Sequence, residues 1–318
     1  MLQLDGYSAA NTGDCRHGLW QCFRRVGMAF GGLLLMATLA GCPSVPKSVQ
    51  ALPAPVTAQR QIAVLNARAE KLATLRLVGN LTLDYSGRLG NSHEYQAHCV
   101  LLIDQRPASR IDGRCNLLLM GTYLGEDVLE MGMNQRLYWL VDRRKKTAYV
   151  GHFNAPSPSD RTIPMDPREL LQMLAVGGLR QSGTQSVVMT SFSRNPYNRI
   201  FVIKRLPNGT SFAQRELVVD RLTGNVVQVS LFNTSGISIA RATLSHYQPV
   251  RSDTSHGTVM VPMHINLSYP AGNAQIHLIV HKATLRLKVK AKYAFASPGF
   301  SGLRVIPVRG TTNVMKGP

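Results

Sequence analysis

The side chain best placed to do chemistry is the thiol of Cys42, which closes the stretch Leu39-Ala40-Gly41-Cys42. Ahead of it Val26–Ala40 is an uncharged, largely apolar run of fifteen residues, and Arg24-Arg25 stand immediately before that run. Cations, then an apolar core, then small residues at a cut site make a secretory signal. A transmembrane anchor fits less well, because fifteen residues at about 1.5 Å each reach only ~22 Å against a hydrocarbon core of ~30 Å. A thiol left at the cut end is a nucleophile that can accept acyl chains. Each buried methylene then contributes about 0.8 kcal/mol to membrane attachment.

Cys99 and Cys115 could bind a metal or each other. Without a Cys-x-x-Cys spacing or a histidine partner, two cysteines in an exported chain favour a disulfide. Arg106-Pro107-Ala108 reads as a turn; pairing about residue 107 sets Ile103 opposite Ile111 and Cys99 opposite Cys115. His264, His277 and His281 suggest a metal site only at first sight. Met263, Ile265, Leu267 and Tyr269 pair in phase with Ile276, Leu278 and Val280, which puts all three histidines on the opposite, polar face. The sequence holds no Gly-x-Ser-x-Gly, His-Glu-x-x-His, P-loop or Rossmann glycine run, so no enzyme, metal or cofactor is read from it.

Charge narrows the partners. The chain carries 36 Lys and Arg against 17 Asp and Glu. Removing residues 1–41, with Arg16, Arg24 and Arg25 against Asp5 and Asp14, lowers the net charge from +19 by one, to +18. Such a basic chain suits nucleic acid, anionic membrane or solubility alone, and export argues against nucleic acid.

The elements that must position these residues follow in order. Residues 1–41 are a signal peptide with an over-long N-terminal stretch, and 42–56, with prolines at 43, 46, 53 and 55, are the lipidated cysteine and a flexible spacer. Residues 57–305 form a single domain and 306–318 a C-terminal tail. Ile62, Leu65, Ala69, Leu72 and Leu75 recur at helical spacing, predicting an amphipathic helix over 57–75. The period then falls to two: Leu77 to Tyr85, Tyr95 to Ile103, Asp127 to Met133, Arg136 to Asp142 and Thr147 to Phe153 read as strands. Arg143-Arg144-Lys145-Lys146 sits at a hairpin tip. Asp166-Pro167-Arg168-Glu169 is a helix start, with a cap, a proline at the first position and a glutamate three after the cap. Gly177-Gly178 is the expected stop. From Ile200 to Tyr293 strand follows strand, at 200–204, 214–220, 226–232, 237–247, 259–269, 275–282 and 284–293. In the last, Leu285, Leu287 and Val289 face inward while Arg286, Lys288, Lys290 and Lys292 form an outer row of cations. That row suits edge protection or contact with anionic head groups.

This order resembles that of the LolA/LolB-like superfamily of outer-membrane lipoprotein carriers and receptors over roughly Ala58 to Pro298. The likeness is carried by Leu117-Leu118-Leu119 through Leu124-Gly125 to Val128-Leu129-Glu130, then by Leu140-Val141-Asp142, Val219-Asp220-Arg221-Leu222-Thr223-Gly224 and Val261-Pro262. The resemblance implies a mostly β (α+β) fold, an open antiparallel β half-barrel covered by two or more amphipathic helices around an apolar cavity for acyl chains. It also makes Leu124 the exposed loop leucine that meets the membrane. The expected lining is Leu81, Leu83, Tyr85, Leu101, Ile103, Leu117, Leu119, Leu285, Leu287 and Val289. The expected partners are membrane lipid through acylated, palmitate-bearing Cys42, acyl chains or lipoproteins as cargo, and a periplasmic carrier protein. The expected place is the periplasmic side of the outer membrane, lipid-anchored. The competing class is a structural envelope lipoprotein in which the same apolar face is filled core.

Overall fold

The computed structural model describes residues 54, 56–86, 92–106, 115–152, 165–192, 194–251, 257–270, 273–285 and 294–308. Cys42, the signal, the spacer apart from residues 54 and 56, residues 107–114 and the 286–293 row, with Leu287 and Val289, lie outside the described residues.

Fourteen strands join one sheet. Helix α1 (Ala58–Lys71) leads into β1 (Thr74–Ser86), β2 (Ser92–Asp104), β3 (Asn116–Tyr123), β4 (Glu126–Met133), β5 (Leu137–Asp142) and β6 (Thr147–His152). After α2 (Pro167–Met173) come β7 (Gln185–Ser191), β8 (Tyr197–Arg205), β9 (Ser211–Asp220), β10 (Val226–Phe232), β11 (Ser238–Arg251), β12 (Thr258–Tyr269), β13 (Ala274–Thr284) and β14 (Arg304–Pro307). The order across the sheet is β14-β6-β5-β4-β3-β2-β1-β13-β12-β11-β10-β9-β8-β7. The chain therefore meanders from β1 outward to β6, crosses to the far edge at β7, and meanders back until β13 pairs with β1. Every neighbouring pair is antiparallel except β14 with β6.

Helix α2 shows that the sheet is curled. It touches β4 and β5 on one half and β10 and β11 on the other. In a flat sheet β4 and β11, six places apart in the order, would lie about 29 Å from each other, whereas a helix is only about 10–12 Å across. Among the described residues the strands β7 and β14 at the two ends are not paired with each other, so the sheet they form is an open half-barrel.

The helix starts follow their sequence signals. Thr57 Oγ1 accepts from the Arg60 amide at the head of α1, and Asp166 Oδ1 accepts from the Arg168 amide at 2.8 Å with Pro167 in the first turn of α2. Both helices end earlier than expected. Leu72 caps α1, and Leu75 belongs to β1, in phase with buried Leu77, Leu81 and Leu83. Ala175 takes the left-handed conformation at φ 51° and stops α2 before the glycine pair. The helical cover is thin but stitched together. Asn66 of α1 accepts from the Leu179 amide and donates to the Leu179 carbonyl, while Gln105 Nε2 donates to the carbonyls of Leu72 and Val176.

The half from β2 to β6 is buried on both faces. On the convex side Leu102, Leu118, Trp139, Val141 and Ala148 pack against Phe295, with Phe300, Leu303 and Val305 around them. The segment 294–308 thus covers a second apolar layer, and the boundary expected at 305 falls inside β14. Trp139 lies flat over Gly132, its partner across the β4–β5 ladder, and donates from Nε1 to Glu130 Oε1 at 3.0 Å. Burial raises the Glu130 carboxyl above its usual range, while that bond and Arg143 oppose the rise.

The β2–β3 register overturns the expected disulfide. Ile103 faces Leu117, Asp104 faces Asn116 and Cys99 faces Gly121, so the hairpin centres near residue 110 rather than 107. The register is fixed by matching Leu101 to Leu119 and Ile103 to Leu117 on the apolar face. Cys115, just beyond Asn116, then lies about six residues along the sheet from Cys99, or about 20 Å, far outside disulfide reach. Both are buried thiols. Burial pushes Cys99 up to about 12 and Cys115 up to about 11.

These contacts carry two expectations. A methyl at Gly132 would stand 2.3 Å from Trp139 Cζ2, in a site where the indole is fully buried. Gly132→Ala should therefore cost about 1–3 kcal/mol in urea unfolding. The two thiols should resist alkylation at pH 8 in the native protein and both react once it is unfolded without reductant; loss of 2 Da, the mass of the two hydrogens a disulfide releases, would restore the bridge. Because the folded values lie above the unfolded ones, the contribution of the neutral thiols is intact below about pH 9 and should be lost as pH climbs toward 12.

Candidate functional site

The concave face brings together the lining expected from the sequence, but as packed core. Leu81, Leu83, Leu101, Ile103, Leu117 and Leu119 are exposed by 3 % or less, and Leu285 by 8 %. Tyr85 stands in β1 opposite His93 and Ala274, and its side chain is not described. These residues share one buried cluster with Leu65 and Leu72 of α1 and its cap, Leu170 and Met173 of α2, and Leu179 of the segment after it. The expectation that they line an open cavity is corrected accordingly.

A pocket opens on β4 to β6, beginning three strands away from β1. Leu129 of β4, Leu140 of β5, Tyr149 of β6 and Met165, just ahead of α2, wall an apolar pocket whose polar groups come from Asp142, Lys145 and Thr147. The ladders explain the grouping: Leu129 is opposite Asp142, Leu140 opposite Tyr149, and Asp142 opposite Thr147. The pocket volume is about 70 Å³, well below the ~300 Å³ of an ordinary small-molecule site. It has room for the end of an alkyl chain. In the sequence its only trace is that Leu129 and Leu140 alternate in phase with their buried neighbours; closure by Met165 depends on where the crossover runs.

The β3–β4 turn presents Leu124 as expected. It is 87 % exposed, and both turn residues have positive φ, 51° at Leu124 and 84° at Gly125. That is the paired left-handed geometry of a tight hairpin turn, adopted by leucine against its own preference. Beside it runs a groove of about 410 Å³ between Tyr123, Asp127, Val128 and the Arg143-Arg144 tip of the β5–β6 hairpin. The Arg144 guanidinium sits 5.0 Å from the Tyr95 ring and 5.2 Å from the Tyr123 ring, and Arg143 reaches Glu130 at 3.5 Å. The cationic tip is therefore partly held by aromatic faces rather than wholly solvated.

The histidines stand on the convex face, as the pairing predicts. Ile265 faces Leu278 and Leu267 faces Ile276 on the buried side. His277 Nδ1 lies 2.9 Å from Asn266 Oδ1, and the His264 ring stacks on His246 at 3.9 Å. Among the described residues no group of three His, Cys, Asp or Glu side chains could hold a metal ion, and no helix is long and apolar enough to cross a membrane.

No family model matches the sequence, and no curated protein does either. Solved structures of similar architecture include a DUF1329 family protein from Desulfovibrio piger, at 7 % identity and a TM-score of 0.48, covering 75 % of this chain and 98 % of that one. A putative outer membrane lipoprotein-sorting protein domain from Vibrio parahaemolyticus matches at 7 % identity and 0.48, over 74 % and 96 % of the two chains. A LolA superfamily protein from Nitrosomonas europaea matches at 11 % identity and 0.36, over 76 % and 99 %. At such identities and scores these likenesses transfer no function to the chain.

Proposed function

We propose that the protein is a lipid-anchored envelope protein that holds acyl chains, free or on lipoproteins, against the concave face of its half-barrel. The observation that supports this reading is the pocket of Leu129, Leu140, Tyr149 and Met165, set in the apolar concave face of a sheet that does not close. Only the end of a chain fits the space present. Deeper insertion requires α2, whose Leu170 and Met173 are buried against the sheet, to give way. Held by burial alone, at about 0.8 kcal/mol per methylene, such a ligand is selected by its chain.

In this reading Cys42 carries the acyl anchor on the periplasmic side of the outer membrane, and a periplasmic carrier delivers the cargo. Leu124 meets the membrane during release, and Arg286, Lys288, Lys290 and Lys292 rest on anionic head groups. One observation favours the competing structural class: Leu101, Ile103, Leu117 and Leu119 are packed core, and the pocket on their face holds only about 70 Å³.

Two measurements decide. The full chain carrying Cys42→Ala should lose palmitate label and membrane fractionation relative to wild type; unchanged label would remove the anchor. The same protein should bind a fluorescent fatty acid saturably. Met165→Trp, which fills the pocket and excludes about two methylenes, should weaken that binding about tenfold. No saturable binding by either protein hands the case to the structural class.

A further inference from the structure

Arg215 of β9 is in phase with Leu217 and Val219, and its partners across the two flanking ladders are Val202 of β8 and Leu231 of β10. All four are core residues of the concave face, each exposed by 3 % or less. The row continues through Val187 of β7, opposite Val202, and Ala240 of β11, opposite Leu231, so a single cation interrupts an otherwise apolar band across five strands. Arg215 itself is 9 % exposed, nearly but not wholly withdrawn from water.

No carboxylate among the described residues pairs with it. The ion pairs there are Arg106–Asp104, Arg143–Glu130, Arg168–Asp166 and Arg199–Glu216. Glu216, next in the chain, is of opposite phase and accepts from Arg199 at 3.0 Å. Burial draws the Arg215 guanidinium down to about 10, which leaves it charged at neutral pH. A buried charge without a counter-charge is costly to the fold. It becomes favourable once an oxyanion arrives, and the planar guanidinium can grip a carboxylate or phosphate through two parallel hydrogen bonds.

We infer that Arg215 anchors the anionic head group of a single-chain amphiphile whose tail lies on the concave face. This rests on the reading of that face as an acyl-chain site and adds selection for the head group, which burial of methylenes alone cannot give. A fatty-acid carboxylate and an alkyl phosphate share the required chemistry.

The test is competition against a fluorescent fatty-acid probe by three ligands of equal chain length, palmitate, hexadecyl phosphate and hexadecanol, on the full chain carrying Cys42→Ala. Both anions should compete about tenfold better than the alcohol, and their ranking identifies the preferred oxyanion. In Arg215→Met the three should compete equally, still displacing the probe, while Arg215→Lys should keep part of the preference. Equal competition by all three on the unsubstituted Arg215 protein, or a preference that survives Arg215→Met, overturns the anchor and leaves the acyl-chain site standing. Failure of the probe itself to bind overturns both. Where Arg215→Met does not fold, the ranking on the Arg215 protein and the Arg215→Lys result decide.

Discussion

An open sheet, fourteen strands wide among the described residues, must still bury an apolar surface, and this constraint governs the rest of the structure. Twist alone curls such a sheet, yet curling leaves its concave side lined with leucine and valine. Between β6 and β7 in sequence the chain places α2 against both halves of the sheet, touching β4 and β5 on one and β10 and β11 on the other. Asn66 and Gln105 then tie α1, the end of β2 and the segment after α2 to one another. The cover is small relative to the surface, so most of the buried cluster is made of the sheet's own side chains.

The two faces of the β2–β6 half show how far pattern carries. Alternation locates almost every strand, and Asp166-Pro167 marks the second helix, because these signals are local. Leu101-Leu102-Ile103, Leu117 to Met120 and Tyr138 to Val141 are continuous apolar runs, the mark of strands buried on both sides. What covers the second side, Phe295 to Val305, is neither periodic nor long, and β14 has only four residues paired in parallel, so neither announces itself. The β2–β3 register was open because the loop length is invisible to alternation: turns centred on 107 and on 110 both keep odd residues facing odd. Only the cross-strand match of leucines chooses between them, and with it the fate of the two cysteines.

Site residues divide in the same way. Exposure of Leu124 follows from a two-residue turn and is readable from Leu-Gly between strands. The pocket at Met165 is a product of curvature, which no local pattern encodes. Arg215 is intermediate. Its phase with Leu217 and Val219 places it inward, but Gln214-Arg215-Glu216 looks like an ordinary polar stretch until the partners on β8 and β10 are known.

The pairing of β1 with β13 has a kinetic side. Leu81 faces Leu278, so the centre of the sheet joins segments roughly 200 residues apart, and loop closure across that span must precede the reward of contact. Each meander can form early from neighbouring hairpins, but each then carries an unpaired inner edge until the other arrives. A chain emerging N-terminus first holds β1 open through the synthesis or export of nearly the whole domain. The joint between β1 and β13 therefore carries the largest loop-closure cost of any ladder in the sheet.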